Sequence, residues 1–218
     1  MAVGGAVALT TLALGNMFYF SNNKKDVVEP KIVKPDDISD PSFVDYVIAP
    51  RYLGNPSAPV QIVEFFSMTC SHCASFHQNT FPMIKKRLID ENVVRFEKRA
   101  FPLDGLALRA HAIARSLPLN KYYPMVDMLL TEQQIWINSE DPLAALKKLA
   151  NSAGLSGAEF DTTISNRSLL EAIVKMRQEA SREWEVKATP SFVVNNDTII
   201  SGNLSFDEFA EKINVTGT

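Results

Sequence analysis

The run Val60-Gln61-Ile62-Val63-Glu64-Phe65-Phe66 is an almost uninterrupted apolar strand, and four residues later the chain carries Cys70-Ser71-His72-Cys73 at the head of a helical stretch. A strand this apolar reads as buried. The two thiols between strand and helix are the only cysteines in 218 residues. Two thiols separated by two residues can close a disulfide on the first turn of a helix. The unpaired N–H groups and positive dipole of that turn stabilise a thiolate on the first of them. Strand, CxxC and helix in that order therefore form a redox site with a structural context. With a single pair there is no disulfide framework, and the hydrophobic core must hold the fold.

The formal net charge is −3, which leaves no basic surplus for nucleic-acid binding. From Ala2 to Phe20 no side chain is charged. Nineteen helical residues would span about 29 Å, near the hydrocarbon thickness of a bilayer. Residues 1–20 are thus expected to be an export signal or a membrane anchor, with Ala13-Leu14-Gly15 as a passable cleavage site. The lysines Lys24 and Lys25 follow the apolar run instead of preceding it. The true start is therefore expected upstream of Met1, where the missing positive charges would lie. Residues 21–42, polar and punctuated by Pro30, Pro35 and Pro41, read as an extended spacer.

Tyr46-Val47-Ile48 reads as a short first strand. The turn-rich Gly54-Asn55-Pro56-Ser57-Ala58-Pro59 follows it, and then the central strand. Cys70 to about Glu91 reads as helix, with Pro82 predicting a kink or break. Val93 to Phe101 alternates as a further strand. A long helical stretch comes next. Ala110, Ile113, Ala114 and Leu117 share one face, and Asn120 is expected to cap a helix with Tyr123, Val126 and Leu130 inward. Asp141-Pro142 starts another helix, with Leu143, Leu146 and Leu149 on one face and Gly154 at its end. Ser156 and Glu159 form a capping-box pair, and Ser168 to Trp184 is the last long helix. Ser191 to Val194 and Thr198 to Ile200 return as strands around Asn195-Asn196-Asp197, and a short helix from Phe206 to Ile213 closes the chain.

Around the cysteines the residue types fit one chemistry. Glu64 interrupts the apolar strand, so burial should raise its pKa and let it pass protons to and from a buried thiol. Lys98 or Arg95 on the neighbouring strand is its expected ionic partner, and the pattern does not choose between them. His72, between the cysteines, is expected to lower the Cys70 pKa and make the disulfide more oxidising. His77 and His111 read as surface or packing residues. Pro190 enters a strand after Thr189, and spacing alone favours a trans bond there. A zinc site from Cys70, Cys73, His72 and His77 is disfavoured because His72 shares a turn with both cysteines. No metal and no cofactor is expected beyond the Cys70–Cys73 disulfide itself. An adhesin with an incidental CxxC has nothing to support it.

Three segments together, Gly54-Asn55-Pro56-Ser57-Ala58-Pro59-Val60, Val63-Glu64-Phe65-Phe66-Ser67 leading to Cys70-Ser71-His72-Cys73, and Ala188-Thr189-Pro190-Ser191-Phe192, resemble the DsbA family of thiol:disulfide oxidoreductases. The resemblance covers about Val47 to Ile213. It implies an α/β chain with a thioredoxin fold, residues 43–102 and 187–218, interrupted by an inserted helical domain, residues 103–186. It further implies Cys70 as the exposed nucleophile, Cys73 as its buried partner and Glu64 as the buried acid. Thr189 and Pro190 match a cis-proline loop that, with Ser71, faces substrate. The implied function is donation of the Cys70–Cys73 disulfide to cysteine-containing exported client proteins in the periplasm, with an isomerase or reductase of the same fold as the alternative. The implied partner is a quinone-coupled membrane protein that re-oxidises the pair. Ser71 stands where many members carry proline, and Thr before Pro190 also occurs in disulfide isomerases.

Overall fold

The computed structural model describes Lys34, Asp37, Ile38 and residues 40–214. The expected signal or anchor, residues 1–20, and most of the expected spacer lie outside the described residues. Among the described residues no helix is long and apolar enough to cross a membrane.

Five strands form one sheet in the order β1-β3-β2-β4-β5. They are β1 (Tyr52–Leu53), β2 (Val60–Phe66), β3 (Val94–Ala100), β4 (Ser191–Val194) and β5 (Thr198–Ser201). Strands β2 and β3 run parallel, with Glu64 opposite Lys98, and the other pairings are antiparallel. A parallel pair needs a crossover. Here it is α2 (Ser71–Asn79), α3 (Phe81–Ile84) and a π-helical turn, Lys85–Ile89. Phe76, Phe81, Ile84 and Leu88 from this crossover, with Phe209 from the closing helix, pack on Ile62, Phe96 and Phe192 of the sheet. The opposite face buries Val63, Phe65 and Val193 against Ala180 and Val186. This two-sided cover explains why β3 is buried at every position although four of its seven residues are charged.

The helical stretch inserts between β3 and β4. It consists of α4 (Gly105–Ser116), α5 (Leu119–Thr131), α6 (Gln133–Ile137), α7 (Pro142–Ser152), α8 (Gly157–Ser165) and α9 (Arg167–Glu183). A last helix, α10 (Phe206–Lys212), closes the chain. The expected helix starts at Asp141 and at Ser156–Glu159 are present: Asp141 accepts from Leu143 and Ala144 N–H, and the Ser156 box is complete. The core of this insertion, with Ile113, Tyr122, Leu129, Trp136, Leu146 and Phe160, runs without a break into Phe66, Met68, Cys70 and Cys73. The two cysteines therefore lie where the insertion meets the sheet. Gly54 in the turn before β2 has φ +91°, and a Cβ there would lie 2.7 Å from the Val94 carbonyl oxygen. Only glycine lets that turn lie so close to β3.

Several local expectations are corrected. Tyr46-Val47-Ile48 is not a strand but the end of helix α1, Ser42–Ile48. Phe43, Tyr46 and Val47 form one buried helical stripe that packs with Ala112 of α4 and Leu169 and Ile173 of α9. The buried Arg115 guanidinium donates to the Val47 and Ala49 carbonyls, and the buried Arg51 guanidinium to those of Tyr46 and Arg115. These bonds satisfy the carbonyls at the end of α1. The break expected at Pro82 falls at Thr80. Pro82 itself sits within the first two positions of α3, where its missing N–H costs nothing. Asn120 does not cap α5, which starts at Leu119 after Pro118 with no side-chain cap. Leu143 is exposed, so the buried stripe of α7 is carried by Leu146 and Ala150.

Candidate redox site

Cys70 is the N-cap of α2, with an extended backbone and no side-chain cap bond. Its N–H donates to the Ser67 carbonyl at 3.2 Å, and its own carbonyl accepts from Ala74 N–H at 3.1 Å. The sulfur is thereby carried at the mouth of the helix. Cys70 and Cys73 are both free thiols, the reduced state of the pair. The Cys70 thiol is held down at about 5, chiefly because the Cys73 thiol donates to its sulfur. Burial opposes this. Thr189 and the backbone N–H groups of Cys73 and His72 add to the lowering.

Cys73 is fully buried and goes the other way. Desolvation pushes its thiol up, its donation to Cys70 holds the proton, and the nearby Glu64 charge adds to both. The pair is thus split into a thiolate facing outward and a protonated thiol behind it. Cys70 is less open than the word nucleophile implies, with 9% of its surface exposed. What covers it is the Thr189–Pro190 segment, whose peptide bond is cis. The resemblance implied that geometry, and spacing alone did not. In the thiol form the Cys70 Sγ–H donates to the Thr189 carbonyl at 3.3 Å. The Thr189 hydroxyl is buried beside it with no hydrogen-bond partner among the described residues, and is placed to donate to the sulfur once it ionises.

Beneath Cys73, the Glu64 carboxylate accepts from the Lys98 ammonium, and both side chains are fully buried. The register of β2 against β3 selects Lys98 over Arg95, because Lys98 is the residue opposite Glu64. Arg95 instead lies over the Tyr52 ring at 3.5 Å. The Lys98 Nζ sits 4.4 Å from the centre of the Phe81 ring, with Phe66, Phe76 and Phe96 around it. Rings at that distance offset part of the cost of desolvating the cation. Only one carboxylate oxygen is taken; Glu64 Oε1 has no partner among the described residues. Burial raises the Glu64 pKa, Lys98 opposes this, and charge on Cys70 raises it further. A carboxyl group with a free oxygen, electrostatically coupled to both cysteines, suits transfer of a proton to or from Cys73.

His72 and Ser71 are both exposed at the rim. What position 72 supplies to the Cys70 sulfur is its backbone N–H. His77 and His111 are not surface residues. His77 is buried, stacked on Phe81 at 5.4 Å and 3.0 Å from Asp127, and desolvation lowers it to about 4. His111 is fully buried with its ring edge-on to Phe66, and desolvation holds it at about 3. Both are therefore neutral packing groups. The residues that sequence reasoning missed are those that grip the loop before Cys70. Thr69 donates to Asp104 at 2.6 Å, Leu103 N–H to the Ser67 hydroxyl at 3.3 Å, and the Gln133 amide to the Met68 and Cys70 carbonyls at 3.0 Å each. All three partners come from the residues that follow β3, far along the chain, and no local motif marks them. Among the described residues no group of three or more His, Cys, Asp or Glu is placed to hold a metal ion.

Comparison with known proteins adds relatives to this geometry. A family model described as thioredoxin matches residues 47–215. A Rickettsia conorii protein named as a protein-disulfide oxidoreductase is 30% identical over 162 residues, which are 74% of this chain and 58% of that one. Disulfide bond formation protein D of Bacillus subtilis is 26% identical over 169 residues, 74% of each chain. The chain thus matches a little under three fifths of the length of the R. conorii and R. typhi relatives. Among solved structures, alpha-DsbA1 of Wolbachia pipientis is similar with a TM-score of 0.68 and 26% identity, over 76% of this chain and 89% of that one. Oxidised BdbD of B. subtilis shares the fold at a TM-score of 0.65 and 22% identity, over 76% and 91%.

Proposed function

The chain belongs to the thioredoxin-fold family of DsbA-like thiol:disulfide oxidoreductases, and from that premise we propose that it is an oxidase, donating the Cys70–Cys73 disulfide to cysteine-containing exported proteins outside the cytoplasm. The observation that carries this reading is the split between the two cysteines, Cys70 held at about 5 and Cys73 pushed up. A stabilised Cys70 thiolate favours the reduced form, and a couple whose reduced form is favoured is an oxidant.

In the oxidised protein a client thiolate attacks Cys70 Sγ, the bond to Cys73 breaks, and a mixed disulfide forms. The Cys73 sulfur leaves as a thiolate in an apolar site and takes a proton, for which Glu64, whose charge bears on Cys73, is the carboxyl donor. A second client thiolate attacks the client sulfur of the mixed disulfide. Cys70 leaves as a thiolate, and its low pKa makes it a good leaving group. Two client thiols become one disulfide, and the Cys70–Cys73 disulfide becomes a thiolate and a thiol. The Thr189 carbonyl and hydroxyl line the approach to Cys70, and Ser71 and His72 form its rim. A membrane protein that withdraws the two electrons returns the pair to the disulfide, and residues 1–20 are the proposed export signal or anchor.

The deciding measurement is the reduction potential of the pair by equilibration with glutathione. The expected value lies well above thioredoxin's roughly −270 mV, and a value near that figure makes the protein a reductase. The Cys73→Ala variant, which lacks the resolving thiol and is first loaded at Cys70 as a mixed disulfide with glutathione, should exchange with reduced client proteins, releasing glutathione and accumulating client mixed disulfides on Cys70. Failure to capture any counts against the mechanism.

A further inference from the structure

Gln133 is the first residue of α6, in the helical insertion, and only 1% of it is exposed. Both hydrogens of its side-chain amide are spent on the redox loop, one on the Met68 carbonyl and one on the Cys70 carbonyl. Its own carbonyl oxygen accepts from Gln134 at 3.3 Å. The helix that carries it is itself pinned, because the buried Trp136 ring donates to the Leu129 carbonyl at 2.8 Å. The amide is therefore a fixed point from which the loop hangs.

We propose that Gln133 is a positioning residue for the redox chemistry, clamping the Met68 and Cys70 carbonyls so that the Cys70 sulfur stays aligned with its donors. The inference rests on the reading of Cys70 as the working thiol. Within a planar peptide unit the C=O and the following N–H point in opposite directions. Holding the Cys70 carbonyl toward Gln133 therefore also fixes the Ser71 N–H, the first free donor of α2. Holding the Met68 carbonyl fixes the plane that enters Thr69, whose hydroxyl is tied to Asp104. The Ala74 N–H reaches the Cys70 carbonyl as well, but from within α2, so it sets the helix and not the helix's orientation to the insertion. The Met68 carbonyl, released from Gln133, would be free to turn toward the sulfur, where its negative end opposes a thiolate, while the Cys70 carbonyl keeps only its bond from Ala74 N–H.

The test compares wild type with Gln133→Met, similar in length but without a donor. The readouts are the Cys70 pKa from thiolate ultraviolet absorbance and the glutathione equilibrium constant. The expected result is an upward pKa shift of about one unit, a tenfold smaller acid-dissociation constant for the thiol. A matching tenfold change in the equilibrium constant is a potential lower by about 30 mV. Gln133→Asn keeps both donors one methylene short and should shift both readouts the same way by less. It decides the matter should Gln133→Met fail to fold. Lower stability against denaturant with the Cys70 pKa and the equilibrium constant unchanged would make Gln133 a packing residue and overturn the proposal. Each shift is read against the wild-type protein's own values. The outcome is therefore independent of whether the wild-type potential supports an oxidase or a reductase.

Discussion

Acidification of the reduced protein isolates the Cys70 thiolate. With the thiol at about 5 in the folded protein and roughly 8.5 in the unfolded chain, the unfolded state binds more protons between those values. The folded reduced protein should therefore gain stability as pH rises through this window, and lose it as pH falls toward 5. The loss should be complete a unit or so below that. Each unit within the window corresponds to ~1.36 kcal/mol, and integration from pH 4 to pH 7 gives about 2.7 kcal/mol. Cys70→Ser has no such titration but keeps the remaining carboxylates and histidines. The difference in unfolding free energy between reduced wild type and Cys70→Ser, from urea titrations at both pH values, should therefore grow by that amount. The oxidised protein, with no thiolate to stabilise, should follow Cys70→Ser. A difference that stays flat to within about 1 kcal/mol refutes the argument. It would mean that the Cys73 thiol and the helix N–H groups do not hold charge on Cys70.

Two further perturbations probe the surroundings. Glu64→Leu strands the buried Lys98 ammonium and should cost about 3–5 kcal/mol, measured by denaturant unfolding, while Glu64→Leu with Lys98→Met should recover most of it. In that stable double variant, stopped-flow resolution of mixed disulfides through Cys73 should slow at least ~100-fold if Glu64 moves the proton; an unchanged rate removes it from the mechanism. Thr189→Val deletes the hydroxyl beside the Cys70 sulfur and keeps the side-chain shape. The Cys70 pKa from thiolate absorbance should rise above about 5, and no change would show that the hydroxyl does not reach the sulfur.

The parts of the site that follow from local order were legible in the chain. Val60 to Phe66, the cysteines and the following helix form a consecutive unit, and the buried carboxyl at Glu64 shows as the one charge in an apolar strand. The choice of Lys98 over Arg95 needed the pairing register, which no single strand carries. At His72 it is the backbone N–H that bears on the Cys70 sulfur while the residue itself is exposed, an arrangement set by the helix start and not by the CxxC spacing. Tyr46-Val47-Ile48 has strand-forming residues, and its neighbours decide otherwise. Phe43, Tyr46 and Val47 are spaced for a helical stripe, and Arg115, more than sixty residues away, takes the carbonyls at the end of that helix. Gln133 and Asp104 were invisible for the same reason, since their partners are brought to them only by packing.

Helix α4 also ties the redox loop to the start of the described fold. Its first turn, capped by Asp104, adjoins Thr69 and the redox loop. At its other end the Tyr46 hydroxyl of α1 reaches the Leu117 carbonyl, just past the last residue of the helix. Twelve helical residues separate the two ends by about 18 Å. One rigid helix thus joins the contact with α1 to the loop that carries Cys70.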